Sequence, residues 1–364
     1  MGGAERQITY SEAGVDRDMR DASKRSLAKL ESTHQFSHYG PLLRLPFGNL
    51  IPMNRERTRY QDHKIEGIGT KVLLAQLADK YDTIGIDGVA MVVNDVIRSG
   101  AGPISIVDNI DAEKSEPDLV DKWMTGIVAG AQAARAPIVD GEIADVAILL
   151  RGLREGKGHH IVCGCVGEVD VDEIISGKGL VPGDVVIGLQ SSGVHSNGIS
   201  LVRKVLFAEW GGFYKDPFAS VDGLDIDLVS EVLKPTIIYS EPVLITHLTC
   251  GLKAAVHVTG DAHKKFEKLF QLNPGIGFEF DDLRPQPIFE VLQQTARQLC
   301  RKISDEEMLK TFNMGDGFDV VVDAGEEETV IREFQKRGIN AWRVGKVTNS
   351  GHVVAKYNGQ TIQL

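Results

Sequence analysis

Short apolar strands and apolar helices alternate twice along this chain, between residues 66 and 169 and again from residue 185. The two runs flank the turn cluster Gly177-Lys178-Gly179-Leu180-Val181-Pro182-Gly183-Asp184. Such alternation requires layers of sheet and helix around a shared core. A chain of 364 residues exceeds one core at about 150 residues per domain. The sequence therefore predicts two domains, 1–173 and 174–364, of α/β or α+β type. In the first, Val72 to Ala78 has helical spacing, Thr83-Ile84-Gly85-Ile86 reads as a short strand and Val89 to Ile97 as an apolar helix. Strands are expected at Pro103 to Asp108, Pro137 to Val139 and His160 to Val169, with a long helix from Asp118 to Ala134. In the second, strands are expected at Val185 to Leu189, Phe318 to Val322 and Ala341 to Val347, with helices from Ile199, near Tyr239 and around Ile288 to Leu299. The first 60 residues are polar and turn-rich and read as an arm.

Charge narrows the function. With 51 acidic against 40 basic residues, a net charge of -11 and no long Lys/Arg run, the chain lacks an electrostatic footprint for nucleic acid. A nucleotide remains compatible, because carboxylate-held divalent cations bring in phosphates. The four cysteines (Cys163, Cys165, Cys250, Cys300) form no C-x-x-C pair and read as reduced, mostly buried thiols. No apolar stretch approaches the ~20 residues that span a bilayer, and the opening Met-Gly-Gly-Ala-Glu-Arg-Gln lacks the apolar core of a signal peptide. A cytoplasmic protein is expected.

Four carboxylates in or beside turns stand out in the first half: Glu66, Asp87, Asp95 and Glu142. Acids on separate loops meeting in one cleft are what a magnesium–ATP site requires, although each alone is more often a helix cap or a solvated turn. Gly67-Ile68-Gly69-Thr70-Lys71 precedes a helix, so its N–H groups could face a phosphate, but the Walker spacing is absent. Ser191-Ser192-Gly193-Val194-His195-Ser196-Asn197-Gly198 is a polar turn before a helix, suited to an anion and equally to plain capping. No G-x-S-x-G elbow supports a Ser-His-Asp hydrolase.

Read together, these motifs resemble the aminoimidazole ribonucleotide synthetase (phosphoribosylformylglycinamidine cyclo-ligase) family. The likeness rests on Thr9 to Asp16, Asp82 to Asp87 with Val89 to Asp95, and Ser191 to Lys204. It continues through Lys234 to Tyr239, His257 to Gly260, Thr311 to Gly317 and Asn340 to Gly345. The resemblance implies a two-domain α+β synthetase fold with an α/β C-terminal domain, and a homodimer whose N-terminal domains form a β-barrel. It implies ATP with Mg2+ in the cleft between the halves, K+ as a further candidate ion, and a phosphoribosyl substrate. Formylglycinamidine ribonucleotide would be phosphorylated on its amide oxygen and cyclised. Carried onto this chain, the catalytic candidates are His195 and Lys71, and the substrate or ATP contacts are Gly67, Gly69, Thr70, Asn94, Ser192, Ser196 and Asn197. The metal candidates are Glu66, Asp87, Asp95, Glu142 and Asp261.

Three departures touch that site. Glu66 stands where the family has Asp, Asp140-Gly141-Glu142-Ile143-Ala144 replaces Gly-Gly-Glu-Thr-Ala, and Asp261-Ala262 replaces two glycines after Gly260. A carboxylate at 261 would repel a substrate phosphate unless a cation neutralised it. Two alternatives stay open: an ATP-dependent kinase or synthetase of the same superfamily with another acceptor, and a non-catalytic nucleotide-binding paralogue.

Overall fold

The computed structural model describes residues 6–364. Met1 to Glu5, where most of the segment lacking a signal-peptide core falls, lie outside the described residues. No helix among the described residues is long and apolar enough to cross a membrane.

The first half runs β1 (Arg6–Gln7), α1 (Arg17–Lys24), a 3-10 stretch (Arg25–Phe36), β2 (Leu43–Leu45), β3 (Gly48–Pro52), β4 (Arg59–Gly67), α2 (Val72–Ala78) and α3 (Ile84–Val96). It continues with β5 (Gly102–Ala112), α4 (Pro117–Ala134), β6 (Ile138–Asp145) and β7 (His159–Asp170). Its six-stranded sheet has the order β2-β3-β4-β7-β5-β6, antiparallel except for the parallel β5–β6 pair. The expected arm is therefore only partly an arm, because residues 43–52 pair into the sheet. The expected strand at Thr83 to Ile86 is the start of α3. A Cβ on Gly85 would lie 2.3 Å from the Ile127 backbone nitrogen, and one on Gly126 2.8 Å from that of Gly85. Bare backbone at both positions lets α3 and α4 pack at close range over the inner face of the sheet.

The second half runs β8 (Val185–Gln190), α5 (Ile199–Leu206), α6 (Leu228–Val232), α7 (Ser240–Cys250), β9 (Ala254–His257), a 3-10 stretch (Ala262–Gln271), β10 (Gly277–Phe280) and α8 (Pro287–Gln298). There follow β11 (Arg301–Lys302), α9 (Asp305–Thr311), β12 (Asp316–Val322), α10 (Glu327–Lys336), β13 (Ala341–Thr348), β14 (Val353–Tyr357) and β15 (Gln360–Gln363). Its seven-stranded sheet is ordered β15-β14-β10-β13-β8-β12-β9. β1 crosses over to pair in parallel with β11, so the first described strand belongs to the second lobe. Cys163 and Cys165 are buried, and burial pushes both thiols up to about 12, whereas Cys300 is exposed.

His159 packs its ring against Trp123 and Tyr81 and donates from Nδ1 to the Lys157 carbonyl at 2.9 Å. Burial lowers it from 6.5 to about 4. A depressed folded-state value means that the neutral ring stabilises the fold above pH 6.5, and that this contribution is lost as pH falls through about 4, on the order of 3 kcal/mol over the window. Urea unfolding between pH 7 and pH 4.5 should show this slope in the wild type and a shallower one in His159→Phe. Parallel profiles would assign the slope to other groups.

Candidate active site between the two lobes

A buried polar junction joins the lobes. Lys71, at the entrance to α2, is fully buried and donates to Asp87 Oδ1 at 2.9 Å and to the Lys234 carbonyl at 2.7 Å. The same Asp87 oxygen accepts from Ser196 Oγ at 3.0 Å, Thr236 N at 2.9 Å and Thr236 Oγ1 at 2.7 Å. Burial lowers the Lys71 pKa and Asp87 opposes that shift. Asn94, two turns further along α3, donates to the Ile237 carbonyl and accepts from Tyr239 N. The segment 234–239 is thus laced to α3 through Asp87 Oδ1 and Asn94, while Asp87 Oδ2 is buried without a partner among the described residues. This geometry makes Asp87 an inter-lobe acceptor, and gives Lys71 and Asn94 bracing positions.

Beyond the junction lies a charged cleft. Asp95 is bound by Arg98 at 2.7 Å and by His257 Nδ1 at 2.8 Å. Burial would raise its pKa, but Arg98 and His257 outweigh that and hold the carboxyl far below its ordinary range. Glu66, at the end of β4, keeps an exposed side chain, yet the cleft walls disfavour its charge more than that exposure suggests. Desolvation and then the nearby Asp95 raise its pKa, against Lys265, Arg98 and Lys64. Lys265 donates to the His257 carbonyl at 3.1 Å and to the Thr259 hydroxyl, and burial pushes it down to about 7. Phe47, from the β2–β3 turn, lies against the Arg98 guanidinium at 5.0 Å and the Lys268 ammonium at 5.6 Å. Gly67, Gly69 and Thr70 lie at the same end of β4. Gly69 has φ +72 with open space around it, and Thr70 Oγ1 is 3.3 Å from Ser200 Oγ.

Other expected residues are placed differently. Sheet register pairs Glu142 with Asn109, which pairs with Val162; Glu66 pairs with Cys163. Side chains alternate across a strand, so Glu142 stands on the opposite face from Glu66, away from Asp95 within one chain. His195 is buried at φ 55. Its Nε2 accepts from Ser192 N at 3.1 Å, its Nδ1 has no partner among the described residues, and burial holds the ring neutral. The imidazole closes its own turn rather than reaching a cleft. Ser192 donates to the Pro235 carbonyl at 2.6 Å, while the Asn197 amide nitrogen is buried without a partner. Asp261 has φ 71 and takes its compensating charge from Arg20 of α1, 2.5 Å away, with Arg17 at 4.0 Å. Those guanidiniums answer the repulsion argument without a metal. Sequence reasoning passed over Arg98, Lys265, Arg17 and Arg20. Arg98 alone carried a local signal, its i,i+3 spacing from Asp95; the others meet the site only through tertiary structure.

Two mixed sheets meeting over a charged cleft define the class. The family model for the AIR synthase related protein, N-terminal domain, matches residues 57–169, and that for its C-terminal domain matches residues 181–358. Over 96% of its length the chain is 35% identical to a phosphoribosylformylglycinamidine cyclo-ligase of Methanobrevibacter smithii, covering 97% of that protein. It is 34% identical to the one from Methanothermobacter thermautotrophicus, over 98% of this chain and 100% of that protein. The hydrogenase maturation protein HypE in complex with ATP shares the fold at TM-score 0.57 and 16% identity, over 84% of each chain. The chain belongs to the phosphoribosylformylglycinamidine cyclo-ligase family.

Proposed function

We propose that the protein closes the imidazole ring of aminoimidazole ribonucleotide from formylglycinamidine ribonucleotide, converting ATP to ADP and phosphate in the cytoplasm. The observation that carries this reading is the full-length likeness to relatives bearing that name, and the cleft chemistry agrees with it. The amide oxygen forms a bond to the γ-phosphorus of ATP as the bond from that phosphorus to the β,γ-bridging oxygen breaks. The amidine nitrogen then attacks the activated carbon, phosphate departs with the former amide oxygen, and the ring nitrogen loses a proton. Alignment and charge neutralisation supply most of such a barrier reduction. Arg98, Lys64 and Lys265 supply positive charge. Lys265, with its value near 7, can also exchange a proton at Nζ near neutral pH. Asp95 stays ionised and disfavours the charge of Glu66, an arrangement that fits a cation between them, so Glu66 and Asp95 are the residues that would hold magnesium, which neutralises phosphate charge when bound. Incubation with ATP, magnesium and formylglycinamidine ribonucleotide should give aminoimidazole ribonucleotide and ADP in equal amounts. ADP release only with another acceptor would move the protein to another kinase or synthetase activity, and nucleotide binding without turnover would make it non-catalytic.

The same reading includes a homodimer built on the outer face of the six-stranded sheet. Ile65 is 73% and Val139 60% exposed there, with Val107 and Ile104 also open. Ile65 and Val107 both pair with Gly164, so they flank a single glycine and form an exposed apolar patch, the kind that marks an interface. Ile65→Glu/Val107→Glu should run as a monomer in light scattering while keeping its circular dichroism spectrum. A wild-type monomer at micromolar concentration would remove the dimer.

A further inference from the structure

A second polar cluster lies outside the cleft, inside the second lobe. His263, from the 3-10 stretch after Asp261, and Asp316 and Asp319, on β12, are all completely buried. His263 Nε2 lies 2.7 Å from Asp316 Oδ2 and 3.9 Å from Asp319 Oδ2, and one ligand atom from each residue fits within 4.8 Å of the others. His263 Nδ1, Asp316 Oδ1 and both oxygens of Asp319 find no hydrogen-bond partner among the described residues. Among the described residues no Lys or Arg side chain is in salt-bridge range of either acid, and the imidazole of His263 is the one basic group there. The surroundings are apolar, with the Phe280 ring 4.5 Å from the imidazole. Two adjacent carboxylates cannot both stay ionised in such a place without a compensating charge.

We propose that His263, Asp316 and Asp319 form a structural site for a first-row divalent cation, zinc in preference to manganese, separate from the magnesium of the cleft. One imidazole and two carboxylates suit zinc, which binds such sites more tightly than manganese does. Metal–ligand bonds of about 2.0–2.1 Å in a tetrahedron place ligand atoms about 3.3 Å apart. The distances of 2.7 and 3.9 Å bracket that spacing, so small side-chain adjustments suffice. Asp319, with both oxygens free, can supply the fourth ligand by binding through two. Magnesium fits poorly, since it keeps several waters and the cluster is sealed from solvent. The ion would clamp the segment carrying Asp261 to the strand that follows the Thr311-to-Gly317 loop, bracing two loops of the second lobe.

The test is metal analysis of the full-length protein. Protein from zinc-supplemented medium, passed through gel filtration, should retain about one zinc per chain. Unfolding in guanidinium with chelator, then refolding with and without zinc, should give a higher melting midpoint for the zinc-refolded sample. Asp319→Asn and His263→Gln should each lose the zinc, and Glu66→Gln should retain it. If neither variant is soluble, zinc-edge absorption on the wild type decides: one nitrogen and two or three oxygens at about 2.0–2.1 Å support the site, and a sulfur-containing or all-oxygen shell overturns it. Zinc kept by both cluster variants, or lost from Glu66→Gln, overturns it as well. So does a wild type with less than about a tenth of an equivalent after zinc refolding and no midpoint shift, which would leave a proton shared between Asp316 and Asp319 as what neutralises the pair.

Discussion

Asp87→Asn should lower the unfolding free energy by about 3–5 kcal/mol, the range for breaking a buried ion pair from one side. The asparagine oxygen can still accept from Lys71, Thr236 and Ser196, so what is lost is the negative charge. The completely buried Lys71 ammonium would keep two acceptors, that oxygen and the Lys234 carbonyl, but no compensating charge. Urea unfolding monitored by circular dichroism measures the effect. The double variant Lys71→Met/Asp87→Asn should recover part of the loss, because no unpaired cation remains inside. A single-variant effect below about 1 kcal/mol, the scale of an exposed pair, would mean that water reaches the junction.

Asp95→Asn should reduce kcat/KM by about 30-fold or more, corresponding to roughly 2 kcal/mol of transition-state stabilisation lost with a charge beside the transferring phosphoryl group. The substitution keeps the shape of the side chain, and the amide oxygen can still accept from Arg98. What disappears is the negative charge that Arg98 and His257 hold ionised. The variant should also need more magnesium for half-maximal rate, a change that general loosening of α3 would not produce on its own. Unchanged turnover and magnesium dependence would take Asp95 out of the site and leave it as a partner for Arg98.

The sequence made parts of this architecture readable and left others opaque for identifiable reasons. The long helix α4 and strands such as β5, β7 and β12 followed from apolar periodicity, which survives any tertiary context. Thr83 to Ile86 misled because four apolar or small residues look alike in a strand and in a buried helix. What decides is Gly85 meeting Gly126, a contact 41 positions away. β2 and β3 were hidden because a hairpin of three and five residues is too short for alternation to register. At the site, acid positions were visible but not their company. Nothing local says that Asp87 receives four donors, that Asp261 faces Arg20, or that Glu142 turns to the other side of its sheet. Those outcomes are set by which strands pair and which lobe the first helix joins.

That last choice has a bearing on how the molecule is made. β1 pairs with β11, Lys204 donates to the Glu12 carbonyl, Arg17 binds Glu307 and Arg20 binds Asp261, so the earliest described residues dock on surfaces of the second lobe, made much later. The Arg20–Asp261 bond spans 241 positions. At about 5–20 residues per second the nascent segment waits roughly 12–50 s for its partner, exposed on the ribosome while the first sheet assembles behind it. Residues 6–24 are the first described part to be synthesised and among the last to find their place. Their docking completes the second lobe.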